Sequence, residues 1–101
     1  MRIIEQIVDA MQEELHDAEK YTTKALEHKD GDRELADMYY GIARQELQHA
    51  DIEHDQAVRI IRDYGNNREV PPTMQAIWDW EHKKLTEHKA DIIAMLDAYK
   101  R

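Results

Sequence analysis

Glu46, His49 and Glu53 fall close together in the run ARQELQHADIEHDQ, at steps of three and four residues. That spacing stacks side chains along one face of an α-helix, a turn apart. Two carboxylates and an imidazole are donors that iron, manganese and zinc accept. Without a cation such a face is costly, because a carboxylate loses its water and two carboxylates repel and tend to keep their protons. A bound metal removes both penalties. A broad helix whose glutamates are less buried, or are paired with Lys and Arg, would explain any one of these acids taken singly. It explains the three together less well.

The placement of these residues comes from rotating the chain by about 100° per residue. The second helix has a clean polar half, with Asp37, Arg44, Gln48, Asp51, Asp55, Arg59 and Arg62. Its other half holds Leu35, Tyr39, Ile42, Ala43, Ala50, Ala57, Ile60, Ile61 and Tyr64, and Glu46 and Glu53 fall near the centre of it. His49 lies inside it, toward one edge. The first helix carries the stripe Ile4, Ile7, Val8, Met11, Leu15, Ala18, Thr22, Ala25 and Leu26, with Glu14 beside it. Glu13 and His16 also spell Glu-x-x-His but point to the polar side. Counted from a hairpin centre near residues 30–31, Glu14 and Glu46 are equally distant, so an antiparallel pair brings them to one height.

The third helix has an apolar face of Ile77, Trp78, Leu85, Ile92, Met95, Leu96 and Tyr99, and Glu81 and His88 fall inside it. His88 comes out level with His49. It fits either a metal ligand or a core histidine bonded to a carboxylate. His28, His54 and His82 read as surface or helix-end histidines.

The helices that position these groups are delimited by ordinary punctuation. The first spans about 3–28 and ends at HKDG, with Gly31 expected as its C-terminal cap. Asp32 is the expected N-cap of the second, which spans about 32–64 and should stop at Gly65. NNREVPPT is a loop, and the third helix spans about 73–99. At 1.5 Å per residue each is roughly 40–50 Å long. The expected fold is all-α, a long antiparallel hairpin plus a third helix, in one domain spanning 1–101. It could stand as a three-helix monomer or pair with a second copy into a four-helix bundle.

Composition agrees with helix and excludes several functions. Charged residues make up 36% of the chain, with three Gly, two Pro and no Phe. The net charge of −8 argues against a nucleic-acid partner and favours cations. There is no Cys, so disulfides, iron–sulfur clusters and thiol chemistry are excluded, in keeping with a cytoplasmic location. Glu5 and Asp9 interrupt the apolar start, so no signal peptide is expected, and no apolar run suggests a membrane span.

The stretch EELHDAEKY…ADMYYGIARQELQHA resembles the first helical hairpin of ferritin-like proteins, and the rubrerythrin branch most closely. A first-helix Glu14 seven residues before Tyr21, and Glu46-x-x-His49 on the next helix, carry the resemblance, which covers roughly residues 3–64. It implies a di-iron or di-manganese carboxylate centre in a four-helix bundle. This chain departs from that pattern in having one inward Glu-x-x-His, three helices and no Cys-rich rubredoxin-type domain. Similarity to short ferritin-like proteins implies a homodimer or higher oligomer, with Glu14, Glu46 and His49 from two chains around the metals. Glu46 would bridge, Glu14 and His49 would be terminal ligands, and Tyr21 would hydrogen-bond Glu14. Glu53 would be an extra ligand or lie on the ion's path inward. The implied activity is oxidation of Fe(II) by dioxygen or peroxide, with manganese or zinc as other occupants. The alternative is a non-catalytic helical adaptor or assembly module that keeps a ferritin-like sequence.

Overall fold

Seven positions on the first helix, α1 (Arg2–His28), are buried: Ile4, Val8, Met11, Leu15, Ala18, Thr22 and Ala25. Their steps alternate between four and three residues, a mean period of 3.5, which keeps one seam facing its neighbours along the whole helix. The second helix, α2 (Arg33–Asn67), buries Ala36, Ala43, Leu47, Ala50 and Ala57 in the same rhythm. Tyr40, Ile61 and Tyr64 fill intervening places at the edge of the core. The third, α3 (Pro72–Lys100), contributes Met74, Trp78, Leu85, Ile92, Leu96 and Tyr99. This computed structural model describes residues 2–67 and 69–101, and among them there are three helices and no strand. None of these helices is long and apolar enough to cross a membrane.

The helices run up, down and up in a rod of 56 × 18 × 17 Å. The antiparallel register of α1 and α2 is marked by Tyr21 stacked on Tyr39, with ring centroids 6.0 Å apart. The parallel register of α1 and α3 is marked by three contacts at one constant offset. Gln12 Nε2 donates to Glu81 Oε2 at 3.0 Å, His88 Nε2 meets Glu19 Oε2 at 3.0 Å, and Lys29 Nζ donates to the Ala98 carbonyl at 3.4 Å. α1 is the central element, because the backbones of α2 and α3 both pack on it and stand further from each other. Side chains bridge that wider gap: Tyr99 Oη donates to Asp37, Lys89 to Asp51, and His54 meets His82.

Two helix ends differ from expectation. Gly31 was expected as the C-terminal cap of α1, and it sits there without the left-handed turn common at such caps, since no glycine has a positive φ among the described residues. The His28 carbonyl instead accepts the amides of both Gly31 and Asp32, at 3.1 and 2.9 Å. Asp32 then caps α2 through Oδ1, which accepts the Leu35 amide at 3.1 Å. The second difference is Gly65, which does not stop α2; the helix continues to Asn67. A Cβ at Gly65 would lie 3.1 Å from Val70 Cγ2, so glycine there makes room for the returning loop. Pro71 and Pro72 then open α3 one residue ahead of the expected Thr73.

Two substitutions measure these contributions by urea denaturation. Leu15→Ala, at a fully buried seam position, should lower stability by about 2–5 kcal/mol. Asp32→Ala should lower it by about 1 kcal/mol by removing the cap.

Candidate metal centre

Each polar residue of interest on the hairpin precedes a seam position by one. Glu14 comes before Leu15, Glu46 before Leu47, and His49 before Ala50. One residue is about 100° of rotation, so these side chains leave the three-helix core and emerge along one flank of the α1–α2 hairpin. The flank faces away from α3, whose contacts on α1 are Gln12 and Glu19, roughly 140–160° around from Glu14. Half-buried Ile7, Tyr21, Leu35, Tyr39, Ile42 and Ile60 line the same flank.

At the shared height of the two helices, Glu14, Glu46 and His49 each offer a ligand atom within 4.8 Å of the others. His49 Nδ1 is 3.6 Å from Glu14 Oε2 and 3.9 Å from Glu46 Oε2. These separations are longer than hydrogen bonds. They are also somewhat wider than the roughly 3 Å between two donors on one cation with bonds of about 2.1 Å. Small side-chain rotations would close the difference. The carboxylates are largely covered, at 26% and 20% side-chain exposure, while His49 is 56% exposed. The cluster therefore has a shielded floor and an open mouth.

Electrostatics make this cluster costly when it holds no cation. The hydrogen bond with Glu14 comes first among the causes that push the Glu46 carboxyl up to about 7; burial and the Glu14 charge add to it, and His49 opposes them. Near neutral pH Glu46 thus keeps a proton part of the time, shared in its hydrogen bond with Glu14. Glu53 lies one turn further along. Burial raises its pKa first, with Glu13 and Glu46 adding and His49 pulling it down. Its Oε1 is buried without a hydrogen-bond partner. The donors that converge are Glu14, Glu46 and His49, a set that fits a cation; Glu53 stands outside that group, further along the same flank.

The other expected site residues are elsewhere. Glu81 is not at this centre: it accepts from Gln12 and lies 3.3 Å from Lys84 Nζ. His88 Nε2 lies 3.0 Å from Glu19 Oε2 on the far flank of α1, bonded to a carboxylate but half-buried rather than in the core. Both are at seam-phase positions of α3, but α3 packs on the side of α1 opposite the cluster. Tyr21 makes ring contacts with Tyr39 and Lys20, and no hydrogen bond to Glu14. Sequence reasoning missed a second histidine pair. His54 and His82, expected on the surface, face each other with Nε2 atoms 3.1 Å apart against Trp78. The signal was present, since His54 follows Ala50 by four and precedes Ala57 by three, in phase with the α2 seam.

The raised Glu46 pKa gives a signed prediction for the metal-free chain. The folded state holds this proton more tightly than the unfolded state, whose glutamate titrates near 4.5. The stabilising contribution is complete below that value and is lost as pH rises through about 7. The melting temperature of the native chain should therefore fall relative to that of Glu46→Gln between pH 5 and pH 8, as followed by circular dichroism. A constant difference between the two proteins would contradict the shared proton. Comparison of the chain with protein-family models, curated proteins and solved structures gives no match.

Proposed function

We propose that this chain is a ferritin-like metal-binding protein that handles Fe(II) at Glu14, Glu46 and His49. The observation that carries this reading is the convergence of those three donors at one height on the hairpin flank. Three donors from one chain leave a divalent cation undersaturated, and the flank around them is lined with half-buried apolar side chains. A second copy packed on this flank would cover the apolar residues and double the donors to four carboxylates and two imidazoles. That set matches a di-iron carboxylate centre, with manganese or zinc as competing occupants.

In this reading Glu14, Glu46 and His49 would hold the ions, with Glu46, the most covered of the three, placed as the shared ligand. A cation would have to displace the proton on Glu46, so uptake should weaken as pH falls below about 7. Glu53, with its unpartnered oxygen, supplies an extra ligand or a stopping point on the way in. The net charge of −8 raises the local concentration of cations around the rod. Iron held there would supply electrons to dioxygen or peroxide, and the chain's own part would be to fix the carboxylates, shield them and leave coordination positions open.

The test is metal analysis together with solution mass, followed by addition of Fe(II) under air. Two metals per dimer and a near-ultraviolet absorbance are expected, with Glu46→Ala losing both. Glu53→Gln should weaken metal affinity by roughly 10-fold or more. An undiminished absorbance in Glu46→Ala would refute the assignment, as would a metal-free monomer. Metal uptake without oxidation would leave a structural ion that locks the dimer, and absence of uptake would favour a non-catalytic helical module.

A further inference from the structure

The gap between α2 and α3 is bridged by side chains, and one of those bridges has the geometry of a metal clasp. His54 and His82 point their Nε2 atoms at each other across 3.1 Å. Two imidazole nitrogens bound to one cation at about 2.0–2.1 Å are separated by about 2.9 Å at a right angle and about 3.4 Å at a tetrahedral angle. The observed separation falls inside that range. It also suits a hydrogen bond in the metal-free chain, where one proton lies between the rings.

Three further features distinguish the pair from a chance surface contact. Asp55 Oδ1 lies 3.2 Å from His54 Nδ1. A carboxylate there holds the proton on Nδ1 and leaves the Nε2 lone pair facing His82, the arrangement that orients metal-bound histidines. Both rings pack on buried Trp78, with centroids 5.8 Å and 5.0 Å from the indole, so neither swings freely. A groove of about 160 Å³ opens beside the pair, lined by Ala50, Asp51, Thr86 and Lys89 among others, with space for water to complete a coordination shell.

We infer that His54 and His82 form a binding site for one first-row transition cation of imidazole preference, Zn²⁺ or Cu²⁺, which fastens α3 to α2. The site is separate from the Glu14–Glu46–His49 cluster, since His54 lies roughly 140° around α2 from His49. The cation takes the place of the bridging proton, and that proton moves to Nδ1 of the His82 ring, so that both Nε2 lone pairs bind and no net proton is released. Imidazole donors suit these ions better than they suit magnesium or calcium.

The test uses Zn²⁺ alone and the full chain. Zn²⁺ added in excess to the ¹⁵N-labelled protein, enough to fill the carboxylate cluster as well, should shift the Nε2 resonances of His54 and His82 together. To isolate this site from the carboxylate cluster, Zn²⁺ is also titrated into the Glu46→Ala, His49→Ala double variant. One equivalent should bind and raise the melting temperature. Adding His82→Gln should weaken that binding at least tenfold and abolish the Zn²⁺-dependent rise. Unchanged affinity after His82→Gln overturns the inference, and so does an excess of Zn²⁺ that leaves the His54 and His82 resonances in place. If the variants fold poorly, the resonances of the unaltered protein under excess Zn²⁺ decide the question.

Discussion

One constraint organises this molecule: α1 packs against both other helices along a single seam of period 3.5. Ala18, Ala25, Ala43 and Ala57 are completely buried, so the α1–α2 seam is lined largely by small side chains. Small residues allow close approach, and close approach fixes what neighbouring positions can do. A residue at a seam position enters the three-helix core. A residue one place earlier emerges on the outer flank of the hairpin. The whole chemistry of the candidate centre follows from that one-residue offset, repeated at Glu14, Glu46 and His49.

The same constraint creates an electrostatic problem. Antiparallel pairing brings Glu14 and Glu46 to one height, and neither is fully solvated. The hydrogen bond with Glu14, helped by burial and by the Glu14 charge, pushes the Glu46 carboxyl up to about 7. His49 relieves part of the repulsion but is itself open to water. A hydrophobic pair at these two positions would pack along the hairpin without that cost. The fold therefore tolerates a destabilising arrangement, and function is the usual reason for such tolerance.

Much of this was legible in the sequence because it depends on periodicity and on counting. Helix number, the Asp32 cap and the level pairing of Glu14 with Glu46 all come from local spacing. The parts that were not legible depend on the direction from which α3 approaches. The helical wheel placed Glu46 and Glu53 near the centre of the apolar half of α2 because that half merges two stripes, the seam and the flank. Only the position of α3 separates them. For the same reason Glu81 and His88 looked like inward ligands, when their inward direction leads to Gln12 and Glu19 instead. Gly65 looked like a stop because a glycine in a helix usually weakens it. The nearby Val70 methyl, which requires the gap, belongs to a loop whose return path no local pattern specifies.

The two sides of the hairpin treat their inward polar groups differently. On the α3 side these groups are satisfied within the chain: Glu81 by Gln12 and Lys84, His88 by Glu19, His54 by Asp55 and His82. On the outer flank they are not. Glu53 Oε1 is the buried side-chain oxygen without a partner among the described residues, and Glu14 and Glu46 depend on one shared proton. Buried polar groups in folded proteins are almost always paired. Glu14 on α1 and Glu46 and Glu53 on α2 place these carboxylates on one flank, within about two turns of each other. A cation with a second hairpin over it would satisfy the oxygens, release the proton and cover the apolar residues on either side.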